Sequence, residues 1–223
     1  MYKKITHNIT EEHFDHPAAT HLKAMVDYHT KPSAAETMAA ANLRLESHRL
    51  LTRVMWHVRS YLLGTLANAE DLPATETLLF KDITDIGAVV SEFYGKAAGT
   101  EFDVLFKAFV ASVLDMIKDA KDGRDVAAAR AKITPHIAAL ASLLYTANPT
   151  YWPVAGVTTI LSTIADGWEK QVVSRMKKMW TEDAAAVATV HDQLIGKRTA
   201  NIPGFSDIFS HGIVSQFPEK FKA

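Results

Sequence analysis

From Leu43 onward the apolar residues of this chain recur at steps of three and four, and strict apolar/polar alternation is found nowhere. A three-to-four period puts a stripe on one side of a helix, whereas strands need a period of two. Leu43, Leu50, Leu51, Val54, Val58, Tyr61 and Leu62 form such a stripe over residues 35–68. Leu79, Ile83, Ile86, Val90 and Phe93 form another over 74–94. Phe102, Leu105, Phe106, Phe109, Val113 and Ile117 form a third over 99–120. Asp71-Leu72-Pro73, Gly95 and Asp122-Gly123 punctuate these segments as turn and helix-end chemistry requires.

A fourth helix begins near Asp125 and is broken at Thr134-Pro135, where Thr134 as N-cap and Pro135 at the first helical position restart it through Leu144. Asn148-Pro149-Thr150-Tyr151-Trp152-Pro153 reads as a rigid corner. Residues 157–165 read as a short helix before a long one over 168–195, residues 196–203 as a loop, and 205–214 as a last short helix. Residues 1–34 are polar and His-rich, an arm with one short helix near 18–28. Residues 35–223 then form the helical-bundle domain. Short connections favour antiparallel neighbours, so the expected architecture is all-α, an up-down bundle of four long helices with additional short helices and an N-terminal arm.

With 223 residues and 48% hydrophobic content, the chain can bury one sizeable core. A net charge of −1 gives no global attraction to nucleic acid. The absence of cysteine excludes disulfides, thiol nucleophiles and Cys-ligated metals. Met1-Tyr2-Lys3-Lys4 is not followed by an apolar run, so no signal peptide is expected, and no stretch is long and apolar enough for membrane insertion. The expected setting is the cytoplasm or an intracellular particle. The short basic run Arg175-Met176-Lys177-Lys178 reads as a solvated helix face.

Five histidines fall in the arm: His7, His13, His16, His21 and His29. Nothing beside the His13/His16 pair supplies a third and fourth ligand, so a surface cluster is the simpler reading. On the first long helix, Glu46, Arg49, Arg53 and His57 share one flank of the apolar face, with His48, Thr52 and Arg59 on the other. Exposed ion pairs explain most of this pattern. The functional alternative is that Arg53 or His48 turns inward to bind an anion or carboxylate. Asp82 and Asp85 lie three apart at the edge of the second stripe. Paired carboxylates perform acid–base work where burial separates their pKa values, but they also pair with basic residues of a neighbouring helix. Gly87, inside a helix, is expected to let a neighbour approach closely. The ExxH pairs of di-iron bundles are missing from the core helices, as are HExxH, GxSxG and phosphate-loop patterns. No cofactor and no metal site are therefore expected. Trp56, Trp152, Trp168 and Trp180 are too scattered for a base-stacking platform.

Several motifs stand one after another along the chain: His48 with Thr52-Arg53; Asp85-Ile86-Gly87; Phe93-Tyr94-Gly95; Asn148-Pro149 with Trp152; Val172-Val173 with Arg175; and Gly212-Ile213 with Gln216-Phe217-Pro218, Lys220 and Phe221. In these the chain resembles a family of short all-helical proteins best known from bacilli and clostridia, over residues 43–221. Members of that family often carry kinase or glycosyltransferase labels without a supporting motif. The resemblance implies histidines on inner faces where this chain has Phe109, Ile164 and Gln193, and a late acidic pair where it has Ala188 and Thr189. An apolar framework kept while such positions are apolar or neutral implies a non-catalytic structural or interaction protein. It would be part of a larger assembly (an oligomer, a virion or another particle), with protein partners or self-association and no nucleic acid. The alternative is a small-ligand- or metal-binding bundle, possibly an enzyme, whose interior site gathers His48, Arg53, Asp82, Asp85 and Tyr94. A third possibility is pH-sensitive association through the arm histidines.

Overall fold

A computed structural model describes residues 37–197 and 202–222, and these form an all-α protein. The expected arm of residues 1–34, the short helix expected within it and its five histidines lie outside the described residues. Among the described residues eight α-helices follow one another: α1 (Met38–Ala67), α2 (Leu72–Tyr94), α3 (Lys96–Lys121), α4 (Val126–Ala131), α5 (Thr134–Ala147), α6 (Val154–Met176), α7 (Trp180–Ile195) and α8 (Phe205–Gln216). A 3₁₀ turn, Pro218–Phe221, comes last.

The predicted stripes are the core. Leu50, Leu51, Val54, Val58, Tyr61 and Leu62 of α1 are buried, and so are Leu79, Ile83, Ile86 and Val90 of α2. Phe102, Phe106, Phe109, Val113 and Ile117 do the same on α3, and one continuous apolar cluster joins them to Trp152, Trp168 and Phe209. Burying each such side chain stabilises by roughly 1.5–3 kcal/mol, which is what holds these helices in place.

Glycine sets how closely the helices pack. Gly87 of α2 and Gly99 of α3 face each other so tightly that a Cβ on Gly99 would collide with the Gly87 carbonyl and with Ser91. Thr84 and Asp103 join the same two helices by a 2.9 Å hydrogen bond. These contacts run in opposite directions along the two chains, so α2 and α3 form an antiparallel pair hinged at Gly95. The close approach expected at Gly87 is present.

Four expectations are corrected. Residues 157–165 are not a separate helix, because α6 runs unbroken from Val154 to Met176. Asp166-Gly167 resembles a turn, but it is helical, with Gly167 set against Val190 of α7 where any Cβ would clash. The expected long helix over 168–195 is instead two helices, broken after Met176. Thr134 is not the N-cap of α5: Ile133 holds that place with helical angles, and Thr134-Pro135 lie in the first turn, where a missing N–H costs nothing. The expected loop at 196–203 begins and ends in a two-residue antiparallel pairing of Gly196–Lys197 with Ile202–Pro203.

The break between α6 and α7 has the geometry of a Schellman helix end. Met179 N–H donates to the Ser174 carbonyl at 2.8 Å and Lys178 N–H to the Arg175 carbonyl at 3.1 Å. The residue this motif holds in the left-handed region is Lys178, at φ 58°. The same bond pair closes α1 around Asn68 (φ 56°) and α3 around Gly123 (φ 75°). Glycine, and to a lesser degree asparagine, adopts this conformation readily, whereas a lysine is strained there by about 1–2 kcal/mol.

Candidate functional site

The polar residues singled out from the sequence are distributed over three places. The first lies between α1 and α2, where Asp82 is fully buried. Arg53 Nη2 is 2.6 Å from its Oδ1 and His57 Nδ1 is 2.8 Å from its Oδ2. Neither contact has the alignment of a hydrogen bond, so the carboxylate is held by charge and proximity. Arg53 and His57 are four apart on the flank predicted for them, and both reach down to Asp82 while their outer edges stay in solvent. Asp85, three residues on, faces outward and pairs with Lys81 of its own helix at 2.8 Å. The two aspartates therefore do not share a site.

The second place lies between α1 and α8. His48 Nε2 is 2.8 Å from Asp207 Oδ1. The other oxygen, Oδ2, accepts the Gly204 N–H at 3.1 Å, so a single carboxylate caps the start of α8 and docks that helix on α1.

Tyr94 occupies the third place, at the end of α2. Its hydroxyl donates to Gln216 Oε1 at 2.7 Å and accepts from Asn148 Nδ2 at 3.3 Å. Asn148 also donates to the Gly212 carbonyl at 3.0 Å, and Gln216 Nε2 donates to the Ala147 carbonyl at 3.2 Å. Trp152 packs on Gly212, where a Cβ would strike its indole, and donates Nε1–H to the Ile208 carbonyl at 3.2 Å. Phe93 stacks on Phe221 with centroids 5.6 Å apart, and the Lys220 ammonium lies 4.9 Å from the Phe93 ring centre. The Phe-Tyr-Gly, Asn-Pro-x-x-Trp and Gly-Ile-x-x-Gln-Phe motifs thus meet in one clasp. Burial pushes the Tyr94 hydroxyl up to about 12, against a smaller opposing pull from the Asn148 hydrogen bond.

One buried carboxylate was missed. Asp183 of α7 is gripped by Arg59 of α1 through two hydrogen bonds of 2.6 Å, while Arg175 of α6 adds a third at 3.0 Å. Arg59 also reaches Gln171 Oε1 at 3.3 Å. Burial pushes the Asp183 carboxyl up, but the Arg59 hydrogen bonds and the two guanidinium charges outweigh it and hold the group below its ordinary value. Arg175 in turn stacks on Trp180, 4.9 Å from the ring centre.

Two cavities bear on chemistry. A dry slit among Phe102, Phe106, Leu140, Leu144, Leu161 and Phe205 has no room for a water. A surface notch of about 210 Å³ beside α4 has charged walls, but Asp119, Arg124 and Lys132 there pair with one another. None of His48, Arg53, Asp82, Asp85 or Tyr94 lines either cavity. Among the described residues no group of three or more His, Asp or Glu side chains is placed to hold a metal ion. No helix among them is long and apolar enough to cross a membrane. Compared with protein-family models, curated proteins and solved structures, the chain matches none.

Proposed function

We propose that this protein is a non-catalytic structural or interaction protein built as an up-down bundle of four long helices with short additions, and that it works within a larger assembly. One observation carries this reading: most of the residues that define the sequence motifs are used to join helices, Asp85, paired with Lys81 of its own helix, being an exception. His48 docks α8, Arg53 holds Asp82 of α2, and Gly87 seats α3. Tyr94, Asn148, Trp152, Gly212 and Gln216 close the clasp, and Arg175 helps to bury Asp183. In an enzyme, a share of such groups faces a cavity able to take a substrate. Here they face one another. The same pattern favours treating the resemblance to the bacillus and clostridium helical family as one of framework.

The test is native mass spectrometry with elemental analysis on untagged protein. The expected result is a species heavier than one chain, or bound to a protein partner, with no stoichiometric metal or small molecule. A monomer retaining one metal or organic ligand per chain would overturn the reading.

One observation favours a second reading, a small-ligand-binding bundle. Asp82 is a buried carboxylate whose neighbours Arg53 and His57 are close but poorly aligned, and each of the two keeps an outward edge. An anionic ligand bridging those edges would show as chemical-shift changes of His57 on titration with inorganic phosphate. An unmoved His57 signal would remove this alternative.

A further inference from the structure

We propose that the turn between α6 and α7 is a docking surface for anionic lipid bilayers. Every residue from Met176 to Glu182 is exposed. Three of these seven are large and apolar: Met176 is 44% exposed, Met179 40% and Trp180 55%. Lys177 and Lys178 stand among them, Arg175 flanks them, and Glu182 is the single acid in the run. Asp183, the next acid, lies beneath the surface and is occupied by Arg59 and Arg175. The basic run read from the sequence as a solvated helix face is thus a convex corner, where cations and apolar prongs share one outward surface.

Two features show that this corner is built. Its base is fixed, because Asp183 ties the start of α7 to α1 and α6, and the Arg175 guanidinium lies 4.9 Å from the Trp180 ring centre. Its apex is strained. Lys178 occupies the left-handed position that Asn68 and Gly123 fill at the ends of α1 and α3. A glycine would relieve that conformation. A long cationic side chain kept in a locally unfavourable geometry points to a use for its ammonium.

The occupant follows from composition. Protein–protein interfaces are depleted in lysine, and here two lysines sit at the centre of the patch. A single-strand nucleic-acid platform stacks successive bases on several aromatic side chains, and Trp180 is the one aromatic residue between Met176 and Glu182. A bilayer surface suits all the groups together. Trp rings settle at the headgroup level, thioether chains enter the acyl boundary, and lysine stems lie along apolar surface while their ammonium groups reach lipid phosphates. Each lysine near an anionic leaflet contributes about 1 kcal/mol, or about a fivefold factor in partitioning.

The test is co-sedimentation of the full chain with vesicles of phosphatidylcholine alone, or of phosphatidylcholine mixed with phosphatidylserine, with tryptophan emission as a second readout. Expected are binding to the mixed vesicles only, a blue shift on binding, and release near ~1 M salt, where the screening length falls to about 3 Å. Lys177→Glu with Lys178→Glu should abolish binding, and Trp180→Ala should abolish the blue shift. Lys178→Gly, which relieves the backbone, should weaken partitioning by about fivefold while the helical circular dichroism is kept. Lys132→Glu, a charge reversal in the notch beside α4, should bind as the parent does. The proposal is overturned if the folded parent ignores mixed vesicles, or if it binds both kinds equally. It is also overturned if folded corner variants bind like the parent, or if a single-stranded oligonucleotide displaces the vesicles and its own binding falls in the same variants.

Discussion

Arg59 and Asp183, 124 residues apart in sequence, are joined by two hydrogen bonds of 2.6 Å, each guanidinium nitrogen meeting its own carboxylate oxygen. Both side chains are nearly removed from solvent, at 13% and 3% exposed. The pair fixes α1 against α7, and Arg175 extends the tie to α6. A fork-to-fork pair of this kind is strong when complete and costly when one partner is removed.

Asp183→Asn should therefore destabilise the fold by about 3–5 kcal/mol in urea unfolding, because two guanidinium groups would be left around a neutral amide. The pH dependence has a definite sign. The folded Asp183 carboxyl is held below its ordinary value, so it contributes stability above about pH 4 that is lost as pH falls through the folded value. In acid titrations the parent should lose stability over that range and Asp183→Asn should lose less. Parallel curves would show that the pair adds nothing to the fold.

Tyr94 gives a prediction at the other end of the pH scale. Its folded value is raised to about 12, whereas an unfolded tyrosine titrates near ~10. Between these values the folded state holds a proton that the unfolded state has released, so stability falls as pH rises from about 10 towards 12. Tyr94→Phe should flatten that slope. Absorbance at the tyrosinate band should show a late ionising step near that value, and the step should vanish in the variant.

The clasp at the end of the chain yields a third prediction. Removing everything after Val214 deletes Gln216, Phe217 and Phe221, and with them the Tyr94 hydrogen bond and the Phe93 stack. Phe221 is only 6% exposed, and truncating a buried Phe alone costs about 3–5 kcal/mol. The shortened protein should melt well below the parent while keeping its helical signal. An unchanged Tm would mean that the ending packs without holding.

The helices were legible because each stripe repeats locally and each side chain carries its own apolar signal. The breaks were less so. Asp166-Gly167 carries turn chemistry, but Val190, from a helix distant in sequence, needs the space a side chain would take. Lys177-Lys178-Met179 has neither glycine nor proline, yet the chain turns there. Arg53 facing a carboxylate could be read from its flank. Arg59 on Asp183 and His48 on Asp207 could not, because pairing across 124 and 159 residues depends on how the helices dock. The clasp motifs stood out as sequence, and only the structure showed that Tyr94, Asn148 and Gln216 are one contact.

Lys178 provides the last prediction, on stability alone. Its φ of 58° is shared with Asn68 and approached by Gly123, and all three residues close a helix with the same two backbone bonds. The backbone is therefore correct for the motif, and only the side chain is unfavourable. Lys178 donates no side-chain hydrogen bond and forms no ion pair among the described contacts, so nothing offsets the strain of about 1–2 kcal/mol. Replacing it with glycine keeps the bonds and removes the Cβ clash, at the cost of a more flexible unfolded chain. The net expectation is that Lys178→Gly is more stable than the parent by roughly 1 kcal/mol, read as a higher urea midpoint at unchanged slope. Lys178→Ala keeps the Cβ and should gain little. If both substitutions behave alike, the strain lies elsewhere in the turn.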